Sequence, residues 1–300
     1  MPTADPNRAH RRAVWTLVFC TLCWSLAGVF TRHLQRADGL EVTFWRSVGC
    51  ALCVTAVLAW RGGATGAWRQ IAATGRAGLV SGAMWAVMFV CFTVALTRTT
   101  VANTLVVMAL SPLLAALLAR LVLREPVAPR TACAIAAAGA GIVWMVRGGV
   151  SGEGLAGMAI AAGVPLAAAV NIVVLKRSGA RVDLVPAVLV GGALSCAVAL
   201  PLAWPLQASA RDLAILLGLG VVQLGAPCML MVAASRHLAP HEIALLGLLE
   251  VVFGPVWAWL GAGERPADAT LQGGLVVLAA LVANEVVPGR RPKVRIATAK

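Results

Sequence analysis

Ten apolar runs, each close to the length of a membrane span, occupy nearly all of this 300-residue chain: roughly 13–31, 40–60, 77–96, 101–123, 130–147, 155–176, 183–204, 212–234, 240–262 and 270–288. Crossing about 30 Å of hydrocarbon takes about 20 helical residues. Lipid offers backbone polar groups no partners but one another, so only helices and closed barrels span it. Continuous apolar runs, in place of alternating strands of about ten residues, select helices. The chain is 60% apolar and only 12% charged, with a mean hydropathy of +0.87. Soluble domains carry about a quarter charged residues, so a water-soluble globule is excluded. The predicted fold class is an all-α integral membrane protein with ten transmembrane helices.

A net charge of +13 would suggest nucleic acid in a soluble protein, but here the basic residues mark the sides of the membrane. With the N-terminus inside, the inner segments hold 18 of the 25 Lys and Arg residues, among them Arg8, Arg11, Arg12, Lys176, Arg177 and the tail from Arg290 to Lys300. The outer segments hold six (Arg32, Arg36, Arg98, Arg147, Arg211 and Arg265), and Arg46 lies within the second run. Positive charge stays on the cytoplasmic side, which predicts a multi-pass protein of the cell inner membrane with both termini cytoplasmic. Trp15, Trp60 and Trp68 fall at the inner edge, and Trp144 and Trp204 near the outer edge, as interfacial aromatics do. Trp24, Trp45, Trp85, Trp257 and Trp259 fit such belts less well. The first run lacks a small-residue cleavage site and is expected to stay as a spanning helix.

All eight cysteines sit inside apolar runs and read as small packing residues, not as a disulfide framework. Two C-x-x-C pairs, Cys20/Cys23 and Cys50/Cys53, lack the loop context of a metal site, so no metal and no cofactor is expected. His10, His33, His237 and His241 lie in or beside loops, and His241-Glu242 would be a proton relay only as a minor alternative.

A shift of 139 residues superposes Ser111, Leu121 and Glu125 on Glu250, Leu260 and Glu264. Each half carries a long apolar helix with a mid-span proline (Pro112, Pro255), then a Glu near a proline (Glu125-Pro126; Glu264-Arg265-Pro266), then a Gly/Ala-rich helix. Five helices is an odd number, so residues 151–300 would enter the bilayer from the side opposite to residues 1–150. Such inverted repeats place a binding site near the midplane between them.

The stretches CWSLAGVFTRHL, EVTFWRSVGCAL, ALTRTTVANTLVVMALSPLLAALLARLVLREPV and LLEVVFGPVWAWLGAGERP resemble EamA-type members of the drug/metabolite transporter superfamily, over nearly the whole chain. The resemblance implies two inverted five-helix bundles around a central cavity and transport, often export, of small metabolites or amphipathic compounds. It also implies a partly structural role for Arg46, because the family's second helix often carries an arginine there. One position departs from the family: Val251 stands where a proline is common, and Pro255 follows four residues later, which displaces the expected kink by a turn.

A charge at the bilayer centre facing lipid costs roughly 2.5–3.5 kcal/mol on insertion scales, so Arg46 and Glu250 are expected to face a wet cavity or a partner. As substrate contacts, Arg46 would take a carboxylate or phosphate, and Glu250 an amino group, a cation or a proton. The structural alternatives are a snorkelling Arg46 and a neutral, hydrogen-bonded Glu250. Gly247, Glu250, Gly254 and Trp257 recur at helical spacing and form either a cavity face or a glycine packing seam. Pro255 should free the carbonyl of Val251. Trp24 and Trp85 are candidate cavity walls. Asn103, Gln223, Asn171 and Ser111 are polar interior candidates, for each of which an interhelical hydrogen bond is the competing account. Glu125 and Glu264 read as structural, capping the following helix or meeting loop arginines such as Arg124 and Arg265.

No G-x-x-x-x-G-K-[ST] is present, so ATP is not the direct driver. No H-E-x-x-H or clustered nucleophile and base points to an enzyme, and no filter motif or soluble signalling domain points to a channel or a sensor. The sequence thus predicts a secondary transporter working by alternating access, with Glu250 as the candidate proton carrier. Its partners would be a small-molecule substrate and the lipid bilayer, with no nucleic acid. Monomer and homodimer stay open.

Overall fold

The computed structural model describes residues 6–37, 39–123, 129–147, 151–178, 182–238 and 240–286. Among these residues the regular structure is helical, without a strand, and helix fills each of the ten apolar runs. Helices α1 (Pro6–Ser25) and α2 (Ala27–Thr31) share the first, followed by α3 (Gly39–Ala73) and α4 (Gly75–Arg98). The fourth run is divided into α5 (Val101–Met108) and α6 (Ser111–Leu123), and α7 (Pro129–Arg147) fills the fifth. In the second half come α8 (Gly152–Ala161) with α9 (Gly163–Ser178), then α10 (Pro186–Ala203). Helices α11 (Ala210–Leu219) and α12 (Ala226–Ala234) flank a π-helical turn at Gly220–Gly225, and α13 (Pro240–Ala262) and α14 (Asp268–Val286) complete the chain. Seven helical stretches among the described residues are long and apolar enough to cross a bilayer. Leu249–Ala262 and Asp268–Ala280 are shorter apolar helices.

Prolines explain most of the breaks. A proline inside a helix has no N–H for the carbonyl four residues back, and its ring collides with that carbonyl. Ahead of Pro112 the chain stops α5 at Met108, and the Ser111 hydroxyl donates to the Met108 carbonyl at 2.7 Å in place of the missing amide. Ahead of Pro165, α8 stops at Ala161. Ahead of Pro227 the helix widens into the π turn that contains Gln223, a usual consequence of a disturbed ladder. Helix α13, by contrast, runs unbroken through Pro255. The break between α1 and α2 has no proline, but Thr21 and Ser25 donate back to the carbonyls of Val18 and Leu22 at 2.8 and 2.7 Å, bonds that bend helices.

The second apolar span runs Gly39–Gly63, and at Gly63 the chain turns sharply (φ 68°, ψ 175°) before continuing helical to Ala73. Only glycine enters that region freely, so residues 64–73 form a separate short helix, with Trp68 exposed. The interfacial candidates Trp15, Trp60, Trp68, Trp144 and Trp204 are all exposed.

The two halves are packed into one another. Helix α10 lies against α3 and α4, α9 against α4 and α6, α1 against α12 and α13, and α7 pairs with α14. Lipid tails are as apolar as leucine, so close packing of small residues has to hold such helices together. Glycines supply it. A Cβ on Gly141 would lie 2.7 Å from the carbonyl oxygen of Gly273, and one on Gly191 would lie 3.0 Å from that of Gly82. The tightest crossing joins α3 to the π turn: a Cβ on Gly220 would lie 2.6 Å from the Cα of Gly49 and 2.8 Å from the amide nitrogen of Cys50. Backbone cannot yield as a side-chain tip can, so Gly220→Ala is expected to cost about 1–3 kcal/mol. Thermal unfolding of the detergent-purified protein should show a lowered midpoint for Gly220→Ala. Gly218→Ala, whose added Cβ would meet nothing within 4 Å, should leave it unchanged.

Candidate functional site

Between the halves lies a cavity of about 160 Å³. Its walls are largely apolar and come from both halves: Trp24, Trp85, Met88, Phe89, Phe92 and Met108 from the first, and Val164, Ile172, Leu224, Met231, Ile243 and Val251 from the second. Five of the seven residues named from the sequence as substrate contacts line it, namely Arg46, Glu250, Trp24, Trp85 and Gln223, together with Ser111 and Asn171.

Arg46 is the largest fully buried side chain, 1% exposed. One terminal guanidinium nitrogen donates to the Thr93 hydroxyl at 2.8 Å and the other to the Gln223 carboxamide oxygen. The Thr93 hydroxyl donates onward to the Phe89 carbonyl at 2.9 Å, and Gln223 Nε2 donates to the Trp24 carbonyl at 3.3 Å. The guanidinium carbon stands 5.8 Å from the centre of the Phe92 ring, within cation–π range. These contacts fix two edges of the planar fork. The third donor, Nε, has no partner. Arg46 therefore does not snorkel to an interface; it is held inside by both halves.

Glu250 is 8% exposed and lines the same cavity, yet no hydrogen bond or ion pair joins it to Arg46. The guanidinium and the carboxyl thus share one small apolar space without touching. Buried polar groups in folded proteins are nearly always paired. The three buried side-chain atoms found without a partner among the described residues are Arg46 Nε, Trp85 Nε1 and Asn171 Nδ2. All three are donors, and all three residues line this cavity. Asn171 already accepts from Ser81 through its oxygen at 2.6 Å.

Two named residues are engaged elsewhere. Asn103 accepts from the Thr270 hydroxyl at 3.0 Å and donates to the Thr99 hydroxyl at 3.1 Å, joining α5 to α14. Trp257 donates from Nε1 to Ser25 Oγ at 3.1 Å and stacks on Phe253. The stripe on α13 is consequently divided by depth. Gly247 has open space beside it and Glu250 lines the cavity, whereas a Cβ on Gly254 would run into the Leu105 side chain.

Glu264 takes a structural position, but across the molecule. One carboxylate oxygen accepts from Arg32 Nε and the other from the Val101 amide that begins α5, both at 2.8 Å. Its arginine is therefore Arg32 in place of Arg265, and the helix it caps lies 163 residues earlier. Glu125 lies outside the described residues, as do the side chains of His241 and Glu242.

Two further carboxylates were not singled out from sequence. Asp212, fully buried, completes a capping box with Ser209 and accepts the backbone amides of Gln35 and Arg36 at 2.9 and 3.1 Å. Glu41, 2% exposed, accepts the amides of Gln207 and Ala208. Each acid at the head of one helix thus holds the loop that leads into the other, fixing α3 and α11 side by side. That places Arg46 on α3 opposite Gln223. The motif Ser209-x-x-Asp212 was a readable signal for one of them. The eight cysteines are free, and no three His, Cys, Asp or Glu side chains among the described residues converge as metal ligands.

Comparison with known proteins places this geometry. The model of the EamA-like transporter family matches twice in succession, over residues 11–147 and 155–284. Two curated relatives, the pseudopaline exporters CntI of Pseudomonas aeruginosa strains UCBPP-PA14 and PAO1, are each 33% identical over 94 residues. The aligned stretch covers 30% of this chain and 33% of theirs, so the match spans about a third of the length of these relatives. A solved crystal structure superposes with a TM-score of 0.66 at 19% identity, covering 94% of this chain and all of that one, a likeness of fold. With the family model matched over both halves, this chain belongs to the EamA-like transporter family.

Proposed function

We propose that the protein is a secondary transporter of the cell inner membrane that exports small amphipathic organic metabolites by alternating access. Ten spanning helices would form two inverted five-helix repeats, with both termini cytoplasmic. Support for the duplication comes from the two successive family matches, and support for export from the partial match to exporters. The observation that carries the substrate reading is the cavity shared by Arg46 and Glu250 without contact between them. An acidic group on the solute would complete Arg46 Nε, helped by the donors of Trp85 and Asn171. A cationic group would meet Glu250, and the apolar remainder would lie on Met and Phe side chains. Displacing water with an apolar group while pairing the buried donors gives affinity and orientation together.

Comparing extracellular metabolites of cells that express the protein with those of vector controls tests this reading. Enrichment of a few small solutes carrying both an acidic and a basic group is the expected result, followed by saturable counterflow of those solutes in vesicles. Flux that rises linearly with concentration would mark a passive pore and overturn the proposal.

A further inference from the structure

Beyond the cavity, at the end of the bundle that carries Arg32, Thr99 and Glu264, here termed the distal end, α13 and α2 each pack closely on neighbouring elements. Trp257 on α13 donates to Ser25 at the break after α1, and Gly28 of α2 is so close to α5 that an added Cβ would lie 2.7 Å from the Val101 side chain. Beyond these, the chain leaving α13 turns at Gly263 (φ 68°), and Glu264 reaches back to Arg32 at the end of α2 and to the first amide of α5. The same helix α13 lines the cavity at Gly247 and Glu250. One rigid element therefore faces the cavity with its inner half and seals the distal end with its outer half.

We propose that Glu264 is the latch of this distal gate: its carboxylate holds the α13–α14 connection onto Arg32 and the N-terminus of α5, and each transport cycle breaks and remakes both bonds. The inference rests on the alternating-access reading. A simple surface ion pair is worth little, but this carboxylate is 19% exposed, binds a cation and a helix terminus at once, and both partners lie in the half opposite its own. Such charge-assisted bonds are the stronger kind. A two-state gate that loses them shifts towards its open form in proportion.

A thiol placed on the cavity wall by Ser111→Cys reads the gate, since Ser111 lines the cavity. A sulfonated, membrane-impermeant maleimide is applied to vesicles of each orientation, and labelling at position 111 is followed by peptide mass spectrometry, which separates it from the native cysteines. Adding Glu264→Ala is expected to raise the labelling rate from the distal side about tenfold, and Arg32→Gln, which leaves the cap on α5, about threefold. The double variant should not exceed Glu264→Ala, because both changes open one latch. Arg32→Gln keeps the test alive if Glu264→Ala does not reach the membrane. Unchanged distal labelling in a properly inserted latch variant overturns the latch while leaving alternating access intact. Solute flux that rises linearly with concentration in the wild-type protein, the mark of a cavity open at both ends at once, overturns alternating access itself.

Discussion

Arg46→Lys is expected to yield a folded protein that transports at no more than about a tenth of the wild-type rate, and Arg46→Ala a protein that is both inactive and unstable. The difference follows from what the guanidinium does. It bonds Thr93 on α4 and Gln223 on the π turn, and still has Nε left for a solute. A lysine ammonium is a point charge on a flexible stem and cannot hold both partners in a plane while presenting a third donor. It keeps the positive charge beside Glu250, so the charge balance of the cavity survives and the geometry is lost. Alanine removes the balance as well. The Thr93 and Gln223 oxygens lose their donor, and a void replaces the largest buried side chain. Leaving a buried polar group unpaired costs about 1–3 kcal/mol and emptying a large buried side chain about 2–5 kcal/mol, a large share of the stability of most folded proteins. Counterflow at matched membrane abundance, with thermal unfolding in detergent, separates the two effects. A lysine variant with wild-type KM and kcat would show that Arg46 is purely structural.

The dependence of Arg46 on two distant partners also marks the boundary of what the sequence could tell. The all-helical fold was legible because lipid leaves so few alternatives: a run of about 20 apolar residues has one fate, whatever its neighbours. The buried charge of Arg46 and Glu250 was legible for the same reason, since each is costly unless it meets water or a partner. Which partner was not. Thr93 is an ordinary threonine 47 residues away and Gln223 lies 177 residues away, and only the packing of α3 against α4 and the π turn brings them together. The helix breaks fall between these cases. Pro112, Pro165 and Pro227 each announced a lost hydrogen bond, but whether the chain would break, bend or widen depended on tertiary room, and at Pro255 the helix runs on. On α13 the spacing of Gly247, Glu250, Gly254 and Trp257 marked one face of a helix, either cavity wall or packing seam. It could not tell that the face passes from open cavity to tight seal within two turns, because that change runs along the helix axis, where periodicity carries no information. Asn103 and Glu264 show the same limit, since Thr270 for the one and Arg32 and Val101 for the other come from the opposite half.

Glu250→Gln is expected to separate exchange from energy coupling. Glutamine keeps the size of the side chain and one acceptor but cannot ionise or carry a proton. With Arg46 charged and Glu250 ionised the cavity is neutral. A proton on Glu250 leaves it cationic, and carrying one charge through 100 mV is worth about 2.3 kcal/mol. A single carboxylate that holds either a proton or the solute's cationic group enforces exchange of one for the other, because the two compete for the same oxygens. The glutamine variant is locked in the equivalent of the protonated state. Solute counterflow, which needs no net proton movement, should then persist within about threefold of wild type if binding rests chiefly on Arg46, while accumulation driven by a pH gradient falls by at least about tenfold and loses its dependence on that gradient. Both rates are measured in the same proteoliposomes with the metabolite identified from cells. Loss of counterflow and accumulation together would make Glu250 a substrate contact first and foremost. Retention of gradient-driven accumulation would strip it of any part in proton coupling, and another titratable group would then have to carry the proton.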